Sequence, residues 1–469
     1  MRIERDSMGE MQVPDDALYG ASTQRAVLNF PVSGHPLPPA FIRGLALVKL
    51  ACAAANEDLG LLSAEKSRLI RQVAREVIDG GLLAHFPVDI FQTGSGTSSN
   101  MNINEVIANR ASQLCGQPVG SRKPLHPNDD VNLGQSSNDI IPTTLHVSVA
   151  VTLKTQLGPA LEELAVALET KAQEFRGIVK IGRTHLMDAT PLTLGQEFSG
   201  YAAQVRKGVE RTQKALRALE ELAIGGTAVG TGLNCHPEFS ARVCRILTEH
   251  TGIPFREARN HFEAQGGRDD CVEAAGQLAA IAAGLTKIAN DIRLMGSGPR
   301  AGFAELRLPA TQPGSSIMPG KVNPVMSEML VQVCSYTMGL AHVVVLCGRD
   351  GHFELNVTLP LMAHALHEAI TCLTNGCRVF ARQCVHGIEA DAGRCQELTG
   401  RSLMLVTALN PYIGYDAAAS VAKEALAGNK TLRDVVLERG LMDAATLDQA
   451  LDPKSMTLPG GNLPGAGGG

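Results

Sequence analysis

The middle of the chain alternates apolar and polar residues with the period of an α-helix. In residues 153–175 the apolar positions recur every three or four residues, at Leu153, Leu157, Leu161, Leu164 and Leu168, which places them on one helix face. A similar stripe runs through residues 198–222, and an alanine-rich segment covers residues 271–298. Two further apolar stretches cover roughly residues 326–346 and 355–384. The pattern therefore predicts five helices, each longer than the usual helix of about 11–12 residues.

Long helices with wide apolar faces are typical of a mainly α protein with a central helix bundle, and they leave apolar surface for contacts between subunits. We expect a mixed, mostly helical N-terminal domain over residues 1–135, built from short helical pieces and Gly/Pro turns. The central bundle is expected over residues 136–390 and a small helical domain over residues 391–469. The final segment, GGNLPGAGGG, cannot bury enough apolar surface to become ordered, so we expect a disordered tail.

Composition and charge exclude several classes of function. Hydrophobic residues make up 44% of the chain, charged residues 19%, and the net charge is −5 without a block of like charges, so nucleic acid and anionic membranes are not expected partners. The N-terminus lacks the features of a signal or transit peptide, and no continuous apolar run reaches the roughly 18 residues of a membrane helix. Eleven cysteines lie between Cys52 and Cys395 without metal-ligand spacing. We therefore expect a cytoplasmic protein with reduced thiols and no metal site.

Two stretches in the first third of the chain place short polar side chains at predicted helix starts. In residues 92–110 the candidates are Gly94, Ser95, Gly96, Thr97, Ser98 and Asn100. In residues 126–146 the segment Pro127-Asn128-Asp129 has the pattern of a turn and a helix cap, and a second group of donors follows at Ser136, Ser137 and Asn138. Glycines allow the backbone to approach a ligand, and donors at a helix start favour a carboxylate or phosphate. The same residues are also common in ordinary caps and turns.

A third polar stretch, residues 180–197, contains the candidate proton-transfer residue His185. Thr184 and His185 lie between an apolar segment and a turn predicted at Ala189-Thr190-Pro191. Histidine is the usual proton-transfer side chain near neutral pH. From these residues alone, a structural histidine is an equally good interpretation.

The fourth stretch, GSSIMPGKVNPVMSE over residues 314–328, interrupts two of the predicted long helices. Lys321 is suited to compensate negative charge, Asn323 to donate a hydrogen bond, and Glu328 to share a proton with a histidine. Gly314 and Gly320 would allow the loop to open and close over a ligand. The chain has no GxSxG, P-loop or GxGxxG motif that would indicate other chemistry for these serines.

Taken together, the four stretches resemble the fumarase/aspartase superfamily, and most closely class II fumarases. The resemblance rests on GSGTSSNMNINEV, HPNDDVN with QSSND, GRTHLMDATPLTLGQEFSGY and GSSIMPGKVNP, and it extends from the first residues to about Met456. The forms QSSND, DATP and GHFELNV are those of fumarases rather than aspartases. Leu133 and the segment AQGGRDD depart from the usual family residues. These departures bear on substrate affinity and surface charge rather than on reaction type.

The resemblance implies a three-domain fold whose central five-helix bundles form the twenty-helix core of a homotetramer, with each active site shared by three subunits. It implies a hydro-lyase of the tricarboxylic acid cycle that converts fumarate to L-malate reversibly through a carbanion, without metal or other cofactor. By resemblance, Ser315 is the base for the C3 proton, and His185 with Glu328 handles the hydroxyl group. The substrate carboxylates would be held by Ser95, Gly96, Thr97, Ser136, Ser137, Asn138, Thr184, Ser316, Lys321, Val322 and Asn323. The residues that match the family's second anion site are His126, Pro127, Asn128 and Asp129.

Two alternatives remain open at this point. An aspartate ammonia-lyase would share the carbanion chemistry and expel ammonia. A catalytically silent helical scaffold is the alternative from another class, but a scaffold gains little from retaining the chemical groups of Ser315, His185, Lys321, Asn323 and Glu328.

Overall fold

A computed structural model describes residues 1–459, and the predicted tail at residues 460–469 lies outside the described residues. The structure is mainly α-helical, which confirms the predicted fold class. The α-helices are α1 (Ala21–Asn29), α2 (Pro39–Asp58), α3 (Ala64–Ile78), α4 (Thr97–Leu114), α5 (Ser137–Thr152), α6 (Gly158–Glu174), α7 (Leu194–Ala218), α8 (Phe239–Thr251), α9 (His261–Gly266), α10 (Asp269–Met295), α11 (Val325–Gly348), α12 (Leu359–Gln383), α13 (Ala392–Arg401), α14 (Asn410–Ile413), α15 (Tyr415–Gly428), α16 (Leu432–Glu438) and α17 (Ala444–Ala450).

The strands are short and pair two by two. They are β1 (Arg2–Asp6), β2 (Gly9–Val13), β3 (Val179–Thr184), β4 (Met187–Thr193), β5 (Glu221–Leu222), β6 (Arg256–Glu257), β7 (Leu306–Arg307), β8 (Gly351–His352), β9 (Leu355–Asn356) and β10 (Glu389–Ala390). The pairs β1–β2, β3–β4, β7–β10 and β8–β9 are antiparallel, and β5–β6 is parallel. Larger sheets do not occur in residues 1–459, so helix packing forms the core.

The five predicted long helices are all present. The first is composite: α5 continues through one turn of π-helix at Leu153–Leu157 into α6. The other four are α7, α10, α11 and α12. The leucine stripe of the first helix is 0–1% exposed at Leu153, Leu157, Leu161, Leu164 and Leu168, so the apolar pattern identified its buried face correctly.

The N-terminal region contains longer helices than the short pieces expected from its sequence. Helix α2 has 20 residues and α4 has 18. The burial of α2 includes Gly44, where an added Cβ would lie 2.6 Å from the Ser148 side chain. Because α2 is apolar around most of its circumference, it lacks the alternation by which a helix is recognised in a sequence.

The chain divides into two compact units. The first contains residues 1–160, 208–283 and 332–375, and the second contains residues 161–207, 284–331 and 376–459. In the first unit α2 packs against α3, α5 and α8. In the second unit α13 contacts β3, and a separate small core near the C-terminus includes Leu409, Val421, Val435 and Leu447. The domain boundaries expected from the sequence remain a prediction.

Among residues 1–459, three helices are long and apolar enough to cross a membrane, judged by length and composition alone: α2, α10 and α11. This corrects the expectation that no segment meets that criterion, which considered only uninterrupted apolar runs. The share of the apolar window buried inside the chain is 72% for α2, 44% for α10 and 39% for α11. Helices α10 and α11 therefore keep much apolar surface that a single chain does not cover.

Candidate active site

In the first unit, a capping box fixes the polar segment Ser136–Asn138 at the start of α5. The Ser136 side chain accepts a hydrogen bond from the Asn138 backbone N–H at 3.2 Å, and the Ser136 N–H donates to the Asp139 carboxylate at 2.9 Å. The Asn138 side-chain amide donates to the Ala228 carbonyl at 2.8 Å. The first two bonds satisfy backbone N–H groups at the start of α5 that have no carbonyl partner within the helix. They also hold the half-buried side chains of Ser136 and Asn138 in place.

Asp139 ties this helix start to the loop at residues 225–227. The side chain is 0% exposed, and its second oxygen accepts hydrogen bonds from the N–H groups of Gly225 and Thr227, both at 3.0 Å. Burial raises the pKa of Asp139 to about 6, although the backbone donors favour its charged form. Asp139 was not among the residues predicted from the sequence, although its position three residues after Ser136, as in a capping box, was an available signal.

The stretch at Ser95–Asn100 lies beside the Ser136–Asn138 segment. The Asn100 side-chain amide donates to the Ser137 hydroxyl oxygen at 3.0 Å, and the Ser95 and Thr97 hydroxyls are 2.8 Å apart. Gly96 caps α4 with a left-handed backbone, at φ +71°. The close approach at Gly94 is to the chain itself rather than to a ligand, because an added Cβ would lie 1.7 Å from the Val357 carbonyl oxygen.

The segment His126–Asp129 forms a single π-helical turn, Pro127–Val131, capped by the His126 side chain. His126 Nδ1 accepts hydrogen bonds from the backbone N–H groups of Asn128 at 3.3 Å and Asp129 at 3.1 Å. The Asp130 carboxylate accepts hydrogen bonds from the backbone N–H of His126 at 2.8 Å and from Lys66 Nζ at 2.7 Å. The predicted turn is therefore present, but the capping side chain is His126 rather than a residue of Pro127-Asn128-Asp129.

In the second unit, His185 lies at the tip of the β3–β4 hairpin. Thr184 pairs with Met187, so His185 and Leu186 form a two-residue turn with φ values of +56° and +62°. Positive φ at both central positions is the signature of a type I′ hairpin turn. Both side chains are exposed. The hairpin therefore presents His185 at its end.

The turn predicted at Ala189-Thr190-Pro191 is wrong, because all three residues lie in β4. Pro191 pairs with Ile181, and the register shifts between Ile181 and Arg183. A two-stranded ribbon has a free edge on each strand, so a proline without an N–H is tolerated there. The proline was a misleading turn signal.

A buried ion network in the second unit holds the hairpin strand that leads to His185. Glu305 is 0% exposed and accepts hydrogen bonds from Arg183 Nη1 at 2.8 and 3.0 Å, and its carboxylate lies 3.8 Å from Lys180 Nζ. Lys180 also bonds the Glu197 carboxylate at 3.0 Å, and the Arg183 guanidinium lies 4.1 Å from the centre of the Phe303 ring. These residues were not among those predicted from the sequence, although charged residues within an apolar strand were an available signal.

In the loop between α10 and α11, the Ser315 hydroxyl oxygen faces two backbone donors. It accepts hydrogen bonds from the N–H groups of Ile317 at 3.2 Å and Met318 at 2.9 Å. The base of the loop is closed by two further bonds, from the Gly314 N–H to the Lys321 carbonyl at 2.9 Å and from the Asn323 side chain to the Gly314 carbonyl at 2.7 Å. The base of the loop is therefore fixed, and residues 316–322 beyond it are exposed.

The other predicted residues of the second unit lie on or next to this loop. Ser316, Lys321 and Val322 are exposed, and Asn323 is half-buried. Glu328 is half-buried in the first turn of α11. Within residues 1–459 no group of three or more His, Cys, Asp or Glu side chains is arranged to hold a metal ion, and the eleven cysteines are free thiols.

Comparison with known proteins identifies the family. The profile described as lyase matches residues 9–339, and the profile described as fumarase C C-terminus matches residues 405–458. A fumarate hydratase class II of Mycobacterium tuberculosis is 52% identical over 97% of this chain and 96% of its own length. A second class II enzyme, from Bradyrhizobium diazoefficiens, is 51% identical over 98% of this chain and 97% of its own length. This chain belongs to the class II fumarate hydratase family.

Solved structures agree with membership of the class II fumarate hydratase family. The crystal structure of class II fumarase from Schistosoma mansoni superposes with a TM-score of 0.95 at 40% identity, over 98% of this chain and 99% of that one. A fumarate lyase:delta crystallin from Brucella melitensis, bound to cobalt, gives 0.93 at 43% identity over 98% of this chain and 100% of that one. Membership of the class II fumarate hydratase family supports the fumarase interpretation over the aspartate ammonia-lyase alternative.

Proposed function

We propose that this chain catalyses the reversible hydration of fumarate to L-malate. The observation that carries the proposal is the pair of backbone N–H groups on the Ser315 hydroxyl oxygen, from Ile317 and Met318. A serine hydroxyl is a poor base unless its alkoxide is stabilised. Two fixed donors aimed at that oxygen supply this stabilisation at the place where negative charge resides.

The difficult step is removal of the C3 proton of malate, which lies next to a carboxylate. The resulting carbanion places two negative charges on one carboxyl group, so donors and positive charge must be in position before the proton leaves. In the proposal Ser315 reacts as its alkoxide, so the proton that leaves C3 restores the Ser315 hydroxyl, and the C2–O bond then breaks. His185, acting through a water molecule and supported by Glu328, delivers the proton with which the hydroxyl group leaves as water.

The two substrate carboxylates are proposed to bind the polar segments already described. The residues proposed for this binding are Ser95, Gly96, Thr97, Ser136, Ser137, Asn138, Thr184, Ser316, Lys321, Val322 and Asn323. Lys321 adds positive charge from the loop that carries Ser315. His126, Pro127, Asn128 and Asp129 are proposed as a second anion site.

We further propose that the active enzyme is a cytoplasmic homotetramer in which three subunits contribute to each site. The apolar surface of α11 supports a subunit interface. Its exposed large side chains are Tyr336 at 49%, Met338 at 37%, Val345 at 43% and Leu346 at 38%. A helix that keeps this much apolar surface in one chain is typical of a protein–protein contact.

The assay incubates the purified protein with L-malate and, separately, with L-aspartate, and it follows the ultraviolet absorbance of fumarate. We expect fumarate from malate only, and we expect this activity to survive treatment with a chelator because the proposed steps use only protein groups and water. Fumarate and ammonia from aspartate would support the ammonia-lyase instead. Absence of fumarate from both substrates would support the silent scaffold.

A further inference from the structure

A lysine is fully buried beneath the Ser136–Asn138 segment. Lys49 is 0% exposed in the middle of α2, and its ammonium group donates to Asn132 Oδ1 and to Gln135 Oε1, both at 2.9 Å. Within residues 1–459 no carboxylate lies at ion-pair distance from it. Burying a cation without a paired anion is costly, so the position requires an explanation beyond packing.

Both acceptors of Lys49 lie in the turn that leads directly into Ser136. Asn132 Oδ1 also accepts from the side-chain amides of Asn100 at 3.2 Å and Asn104 at 3.3 Å. The Asn132 amide group donates to the Gln135 carbonyl at 3.1 Å. The turn is therefore held by side chains from two helices, α2 and α4.

The same network reaches the proposed substrate-binding residues. The Asn100 side chain that bonds Asn132 also donates to the Ser137 hydroxyl oxygen at 3.0 Å. Gln135 is adjacent in sequence to the helix cap Ser136. A lysine ammonium group has three donors on a compact head and no acceptor. It is suited to hold two amide oxygens together at this point.

We infer that Lys49 is a positioning residue for substrate binding: by holding Asn132 and Gln135 it keeps the donors of Ser136, Ser137 and Asn138 aimed at a substrate carboxylate. The inference rests on the proposed function. Lys49 is not a catalytic residue, because its ammonium group is enclosed by the chain and acts through the turn.

The charge on Lys49 predicts a pH dependence of the KM that would not be expected if Lys49 only filled space in the core. Burial lowers the pKa of Lys49 to about 7, and the titratable groups that face it are Cys52 on α2 and Asp139 on α5. The Asp139 carboxylate favours the charged form of Lys49, whereas burial raises the pKa of the Cys52 thiol and keeps it neutral in this range. Hydrogen bonds from a charged donor are roughly twice as strong as neutral ones. The hold on the turn should therefore weaken as the pH rises through about 7.

The test replaces Lys49 by methionine, which has a similar length and no donor. In the full-length enzyme we expect Lys49→Met to raise the KM for L-malate about 10-fold, the effect of losing about 1.4 kcal/mol of binding energy, with kcat within about 3-fold of wild type. The ratio of the variant KM to the wild-type KM should fall towards one between about pH 6 and about pH 9, because the wild type loses the Lys49 proton over that range.

Leu50→Ala is the matched control, since Leu50 is the next residue on α2 and is 2% exposed. It should lower the melting temperature, as core truncations do, without changing the KM for malate. Gln135→Met removes one acceptor of Lys49, and it should raise the KM to a similar extent if Lys49→Met does not fold. Combining the two substitutions should add little further, since both break the same contact.

An unchanged KM in Lys49→Met, or in Gln135→Met, would overturn the inference while leaving the proposed function intact. An equal rise in KM in Leu50→Ala would also overturn it, because general destabilisation would then explain the effect. A wild-type protein that does not convert malate at all would refute the proposed function, and with it the role of Lys49.

Discussion

Replacing Gly314 by alanine tests whether the closed base of the Ser315 loop is needed for turnover. An added Cβ would lie 2.5 Å from the Lys321 carbonyl oxygen and 2.8 Å from the Asn323 backbone nitrogen. Both neighbours are backbone atoms, so neither can rotate away as the end of a side chain can. Since ordinary contacts begin at 3.4 Å, the two sides of the loop base must separate by about 0.9 Å.

A separation of that size breaks the bonds that close the loop base. The distances from the Gly314 N–H to the Lys321 carbonyl and from Asn323 to the Gly314 carbonyl, now 2.9 and 2.7 Å, would exceed hydrogen-bonding range. Ser315 follows Gly314 directly and would shift by a comparable amount. A displacement of about 1 Å at a reacting group costs on the order of 100-fold in rate.

The assay is steady-state dehydration of L-malate, with thermal unfolding measured in parallel. We expect Gly314→Ala to lower kcat about 100-fold with little change in melting temperature, because the loop is exposed and Ile317 is 84% exposed. Gly200→Ala is the control, because Gly200 lies within α7 and an added Cβ there would have no atom within 4 Å other than its chain neighbours and the backbone of that helix. Turnover of Gly314→Ala within about 3-fold of wild type would refute the reasoning.

Two other predictions concern His185 and Asp139. His185→Asn should lower malate turnover by about 100-fold or more with an unchanged melting temperature, since the exposed tip of the hairpin contributes little to packing; unchanged kinetics would make His185 a structural residue. The folded pKa of Asp139, about 6, lies above its ordinary value of 3.8, so the folded state holds this proton more tightly than the unfolded state. The stability that protonated Asp139 contributes, about 3 kcal/mol, should therefore be present below pH 4 and lost as the pH rises through about 6. This is checked by measuring the free energy of unfolding of Asp139→Asn and of the wild type across this pH range. A difference between the two that is constant with pH would contradict the prediction.

The sequence predicted those parts of the fold in which one face of a helix is buried. The leucines at 153, 157, 161, 164 and 168 differ from their neighbours in polarity, so the helix and its buried face were both evident. Helix α2 is buried on nearly all sides and gives no such contrast. The turn around residue 190 was misplaced because Pro191 occupies an edge strand, where a proline resembles a turn residue in the sequence.

The local hydrogen bonds of the candidate residues could be predicted where those residues are contiguous, whereas their roles in binding and catalysis remain predictions. The capping box at Ser136 and the donors around Ser315 lie within a few residues of each other, so short-range patterns describe them. The contacts of Lys49 with Asn132 and of Arg183 with Glu305 join residues 83 and 122 positions apart. Such pairs depend on tertiary packing, and a single sequence does not show which of its distant polar residues are in contact.

Proton removal from C3 of malate by the Ser315→Ala variant tests most directly whether Ser315 is the base. The wild type and the variant are incubated with L-malate in deuterium oxide, and NMR follows both fumarate formation and loss of the C3 proton. We predict that the variant assembles as the wild type does and that the rates of both reactions fall by about 1000-fold or more. In the described part of this loop, Ser315 carries the only hydroxyl that accepts hydrogen bonds from two backbone N–H groups. A Ser315→Ala enzyme that removes the C3 proton at near the wild-type rate would show that Ser315 is not the base.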